Sequence, residues 1–98
     1  MIMDFEWDAV KEHANKERHG ISFDEVIELF QRGIDFLEMY DAEHSGDEDR
    51  FIAIGPVRGG VVVVVYTERQ ENTIRIISAR LATTSETRLF RRYMGDKA

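Results

Sequence analysis

The chain has no cysteine and one proline, Pro56. Without cysteine there is no disulfide framework and no thiolate metal site. Long apolar runs are missing too. The longest, Val61–Tyr66, is far too short to cross a bilayer. There is no low-complexity tract that would argue for disorder. The opening residues, MIMDFEWDAV, carry acids where a secretory signal needs a basic and then an apolar region. These absences leave the expectation of a cytoplasmic protein with no membrane role. Ninety-eight residues fit one domain over 1–98, with a single modest core.

Charge is present in quantity but unevenly. The net value is −6. Residues 1–57 carry five Lys/Arg and fifteen Asp/Glu, whereas residues 58–98 carry eight and four. Charge on this scale bears on partners rather than fold. The basic second half permits an anionic ligand, and the acidic first half repels one, so any nucleic-acid site must be local.

Periodicity and turn chemistry give an element order. Residues 3–7 alternate and are aromatic-rich, which predicts a first strand. Asp8 caps a helix running to about Arg18, with Gly20 past its end. Ser22 and Glu25 have capping-box spacing. Phe23, Val26, Ile27, Phe30 and Ile34 then form one helical stripe, stopped by Gly33. Residues 34–40 alternate, 41–49 read as a polar loop, and 50–54 as a strand. A turn is expected over 55–60, a strand over 61–68, a tight loop over 69–72 and a strand over 73–81. Thr83 and Glu86 repeat the capping-box spacing before a last helix to about Met94. This β-α-α-β-β-β-β-α order predicts an α+β fold. Its sheet would be small and antiparallel, with the helices on one face and the other face partly open.

Strand parity adds detail. In a regular strand, Ile74, Ile76, Ser78 and Arg80 share one face and Arg75, Ile77 and Ala79 the other. The middles of both central strands are apolar on both sides, so cover on both sides is expected there. Arg69 and Arg75 flank the hairpin end; Ser78 and Arg80 lie toward the last helix. Each arginine alone suits a surface ion pair, for example with Glu68 or Glu71. As a group, planar guanidinium ions suit bidentate contact with phosphate and can neutralise charge in phosphoryl transfer.

Other motifs fail on inspection. The acidic stretch DAEHSGDEDRFI has Ile52 where a calcium loop requires a bidentate glutamate. His13, His19 and His44 lack a known ligand spacing. His19 beside Gly20 suits a helix C-terminus, and His44 can act as acid or base at neutral pH but has no partner in the sequence. GPVRGG lacks the lysine and following helix of a phosphate-binding loop. Trp7 fits either a core aromatic or a base-stacking platform.

Two long phrases, FEWDAVKEHANKERHGISFDEVIELF and VVVVVYTERQENTIRIISARLATTSETRLFRRY, resemble the BrnT toxin family of bacterial type II toxin–antitoxin systems. The most specific parts are Trp7–Asp8, the stretch from Asn15 to Gly20, Ser22–Phe23 and YTER…IRIISARLAT. The resemblance implies a RelE-like fold and a ribonuclease that inhibits translation and needs neither metal nor cofactor. It implies RNA as substrate and a BrnA-like ribbon-helix-helix antitoxin as partner, through which alone the toxin meets operator DNA. Two toxins with two antitoxins is compatible with that partnership. Carried over by position, Arg69, Arg75, Ser78, Arg80 and Glu68 would form the catalytic surface. Arginines would neutralise phosphorane charge, Glu68 would take the 2′-OH proton and Ser78 would position the phosphate. Trp7, Arg88 and Arg91 would contact RNA. Parity sets Arg75 apart from Ser78 and Arg80. The acidic chain also fits a second role, a weak or inactive module that serves as co-repressor partner of a DNA-binding antitoxin.

Overall fold

The computed structural model describes residues 3–31, 33 and 35–97. The elements are β1 (Asp4–Glu6), α1 (Ala9–His19), α2 (Phe23–Val26), α3 (Glu28–Gln31), β2 (Leu37–Tyr40), β3 (Arg50–Val57), β4 (Gly60–Arg69), β5 (Thr73–Leu81) and α4 (Thr84–Lys97). A short 3-10 turn, Ala42–His44, lies between β2 and β3. Among the described residues no helix is long and apolar enough to cross a membrane.

The fold is α+β, but the sheet is mixed rather than antiparallel. Its order is β1-β5-β4-β3-β2. β2 to β5 form the expected antiparallel meander. β1 joins the far edge parallel to β5, with Phe5 opposite Ile74. The pairing turns Phe5 onto the apolar side, where its ring lies 5.9 Å from that of Phe30. Periodicity could show that β1 is a strand but not which way its neighbour runs.

Local chemistry explains the helix ends. The Asp8 carboxylate accepts the backbone N–H groups of Val10 and Lys11, and Gly20 closes α1 with φ +72°. Ser22 and Glu25 complete their capping box. The single helix expected after Ser22 is two short ones, α2 and α3. Near the junction the Phe30 N–H bonds to the Ile27 carbonyl, a tighter i→i−3 step. Phe23, Val26 and Leu29 are its buried positions; Ile34 lies outside the described residues. β3 also runs further than expected, because Gly55 and Pro56 belong to the strand, opposite Val62 and Val61. Gly55 is required there. A Cβ on it would sit 2.5 Å from Leu29 Cδ1 and 2.7 Å from Phe36 Cβ.

Helices cover both sheet faces, not one. Under α1 to α3 lies the main core, which includes Phe23, Leu29, Val62, Val64, Tyr66 and Ile76. On the opposite face α4 packs Phe90 on Ile54 and Val63. α4 lies mainly over β2 and β3. The part of that face on β4 and β5, toward the hairpin, is left for polar side chains.

Candidate active site

One irregularity organises that polar face. In the β4–β5 ladder Val65 is opposite Ser78 and Tyr66 is opposite Ile76, so Ile77 is an extra residue. Such a bulge reverses parity beyond it. Ile74, Ile76 and Ala79 all point into the main core. Arg75, Ser78 and Arg80 therefore share the opposite face, paired with Thr67, Val65 and Val63. The separation of Arg75 from Ser78 and Arg80 expected from regular alternation is overturned. The same face carries Arg69 at the end of β4 and Arg50, opposite Thr67, at the start of β3.

The arginines differ in what they meet. Arg80 and Glu86 form a two-point fork, with Nη1–Oε1 at 2.7 Å and Nη2–Oε2 at 2.8 Å. Glu86 also accepts the Thr83 N–H at 2.8 Å, closing the expected cap of α4. The Arg80 hydrogen bonds pull the Glu86 carboxyl down to about 2, and Glu86 in turn holds the Arg80 guanidinium more firmly protonated. Arg75 lies 3.5 Å and Arg69 3.8 Å from the Glu6 carboxylate; Arg69 also lies 3.5 Å from Glu48. The Arg50 Nε is buried and has no hydrogen-bond partner.

Between this face, the 41–44 turn and the start of α4 is a cleft of about 490 Å³. Arg50, Ser78, Arg80 and Glu86 line it, and so does His44. His44 Nδ1 lies 2.9 Å from Asp41 Oδ2. The Asp41 side chain is 12 % exposed and the imidazole 61 %. A largely buried carboxylate thus fixes an accessible imidazole at the edge of an arginine-bearing cleft. Among the described residues no three His, Asp or Glu side chains group as a metal-ligand set.

Other expected site residues fall elsewhere. Glu68 pairs with Ile74 and so points to the opposite face from the arginines. There it lines a small pocket beside Tyr66 and Glu38, where the Tyr66 phenol donates to the Glu38 carboxylate; burial and that partner push the phenol's pKa up. Trp7 packs edge-on against Phe23, ring centroids 5.9 Å apart, and its indole N–H donates to Glu12 at 3.2 Å. It serves the main core. Arg88 and Arg91 are exposed on α4; Arg88 shares a shallow pocket with Leu89, which also lines the cleft.

Residues 7–86 match the family model described as the ribonuclease toxin BrnT of type II toxin–antitoxin systems. This chain belongs to the BrnT family. Its fold is also similar to the 1.1 Å crystal structure of the ribonuclease toxin BrnT from Brucella abortus. The TM-score is 0.63 at 25 % identity, over 84 % of this chain and 99 % of that one. No curated protein gives a match.

The BrnT match takes in every polar residue of the cleft but stops short of Arg88, Leu89 and Arg91. Several groups in the cleft were not singled out from the sequence as site residues. Register would have revealed Arg50, since hairpin pairing sets it opposite Thr67, in line with Arg69. The Asp41–His44 pair is a local i, i+3 contact, but nothing in the sequence says that its loop folds toward β5. The sequence marks Glu86 only as a cap; its fork to Arg80 needs α4 to start close beside β5.

Proposed function

We propose that this BrnT-family chain is a metal-independent endoribonuclease with a RelE-like arrangement, acting in the cleft between β5, the 41–44 turn and α4. The observation that carries the reading is the Ile77 bulge, which puts Arg75, Ser78 and Arg80 on one open face with Arg50 and Arg69. RNA would lie across that face. The 2′-oxygen attacks the adjacent phosphorus, its proton leaves to a base, and the bond to the 5′-oxygen breaks. The products are a 2′,3′-cyclic phosphate and a 5′-hydroxyl, whose proton comes from water. Arginines fixed before the reaction stabilise the phosphorane where its charge develops. Ser78 donates a hydrogen bond to a phosphate oxygen. Glu68 lies on the other face, away from the arginines. His44 fits the role of base: with Nδ1–H donated to Asp41, Nε2 is left as the acceptor.

The partner in this reading is a ribbon-helix-helix antitoxin of BrnA type, and the complex represses its own operon. The Arg80–Glu86 fork and the net charge of −6 favour a second role, a weak nuclease retained as co-repressor. Expression of the chain alone separates the two. Growth arrest with RNA loss, abolished by Arg80→Ala and reduced by His44→Gln in folded protein, supports the nuclease. Cleavage that persists in excess chelator supports metal independence. Normal growth and intact RNA with soluble, folded parent leave the co-repressor role.

A further inference from the structure

β1 covers only the start of β5, pairing with Thr73 to Arg75. Beyond that point the edge of β5 is guarded by α1. Asn15, buried, meets both backbone groups of Ala79: its amide donates to the carbonyl at 2.8 Å, and its oxygen accepts the N–H at 3.1 Å. One side chain thus replaces a neighbouring strand and clamps α1 alongside β5. A groove of about 350 Å³ remains between them, lined by Lys11, Arg18, His19, Ile77, Ser78 and Arg80 among others.

This groove is unlike the cleft. The cleft contains Asp41, Glu43 and Glu86, whereas no carboxylate lines the groove. Lys11, Asn15, Arg18 and His19 fall at i, i+4, i+7 and i+8, one face of α1. The acids of α1 are engaged elsewhere. Glu12 takes the Trp7 indole and the Phe23 N–H, and Glu17 pairs with His13 at 3.2 Å. Among the described residues neither Lys11 nor Arg18 has an ion pair. Asp8 feels the Lys11 charge but gives its carboxylate to the cap. Arg18 and His19 also suit the negative end of the helix dipole, so they have a bland use. Lys11 does not, because a cation in the first turn works against the dipole.

The groove and the cleft share Ile77, Ser78 and Arg80 as a common wall. We propose that the groove is a subsite for the RNA sugar-phosphate backbone, holding the strand next to the bond cut in the cleft. This extends the ribonuclease reading and rests on it. Lys11 and Arg18 supply the phosphate contacts, about 10 Å apart along the helix. Ser78 and Arg80 stand where the strand passes from one depression to the other. The arrangement also shows how an acidic chain can hold a polyanion: the acids of α1 face away from the strand, and the cations left over line its path.

The test uses the full chain, its Lys11→Gln/Arg18→Gln double variant, and Arg58→Gln as a control for losing a cation elsewhere on the surface. Thermal melts establish that all are folded. The binding probe is a fluorescent single-stranded 2′-O-methyl oligoribonucleotide, which lacks the attacking hydroxyl, titrated over a range of salt. Cleavage is followed on the unmodified RNA. The double variant is expected to bind about tenfold more weakly, and its log K against log salt slope to shrink by about 1.4, the value for two phosphates on a single strand. Arg58→Gln should keep the parent slope. If the double variant keeps the parent affinity and slope while the parent cleaves RNA, the subsite is overturned and the nuclease stands. If the parent binds with a groove-dependent slope but never cleaves, the subsite stands and the nuclease falls. If the parent neither binds nor cleaves, both fall. Unchanged RNA affinity with weakened capture of the antitoxin overturns the RNA assignment and gives the groove to a protein.

Discussion

Arg75 and Ser78, three positions apart in one strand, lie on the same face of the sheet because Ile77 is an extra residue in the β4–β5 ladder. Ordinary alternation would put them back to back. The bulge keeps Ile74, Ile76 and Ala79 in the main core while the polar residues between them collect on the other side.

Arg75→Ala should therefore lower RNA cleavage by about 100-fold, the scale for removing one fixed donor to a developing oxyanion. Its melting temperature should hardly change, since the half-exposed pair with Glu6 is worth about 1 kcal/mol or less. Arg75→Lys should recover only part of the rate, because an ammonium cannot reproduce the planar fork. Cleavage rates on purified, folded variants check both statements.

Glu68→Gln should leave the rate within about twofold of the parent, since its side chain is on the far face of the sheet. A large loss of rate in a folded variant would restore Glu68 as the base and displace His44.

Asn15→Ala removes the amide that satisfies both backbone groups of Ala79. Two buried polar groups are then left unpaired, at a cost of about 2–4 kcal/mol. Denaturant unfolding measures it, and amide exchange at Ala79 should quicken with it.

Gly55→Ala should destabilise the chain by about 1–3 kcal/mol through overpacking. The new methyl would press on Leu29 and Phe36, and Phe36 offers its Cβ rather than a flexible end. Urea melts of the variant and of Gly59→Ala, where no atom lies within 4 Å, separate this contact from a general effect of removing glycine.

The Glu86 carboxyl has its pKa drawn down from 4.5 to about 2 by Arg80. A group depressed on folding adds stability above its unfolded value, and that stability is lost as pH falls from about 4.5 toward 2. After screening by solvent the effect is about 1 kcal/mol. Melting curves across that window should decline for the parent and decline less for Glu86→Gln.

Much of this architecture was legible residue by residue. Asp8, Ser22 and Thr83 announced their caps because capping is a local hydrogen-bond problem. The valines of β4 and the isoleucines of β5 announced a hairpin. Ile77 gave no warning of the bulge: it carries no glycine, and a bulge depends on the partner strand. The parallel pairing of β1 was hidden for a related reason, since Asp4 and Thr73 meet only in three dimensions. The arginines could be counted in the sequence, but not the carboxylates that meet them. Glu6 and Glu86 reach Arg75 and Arg80 from other elements, and the burial of Arg50 Nε depends on how the 41–49 loop is laid down. Trp7 was ambiguous because a tryptophan suits both a core and a stacking platform; the nearby Phe23 and Glu12 decide for the core.

The parallel seam between β1 and β5 also orders events in time. The ribosome makes residues 4–6 early, yet their seat is the backbone of residues 73–75. β1 must wait unpaired until the final strand has been synthesised. The same strand brings Arg75, Ser78 and Arg80, so sheet closure and the candidate catalytic surface arrive together. A nascent chain short of β5 has neither, so the sheet edge and that surface can form only after residues 73–81 have been made.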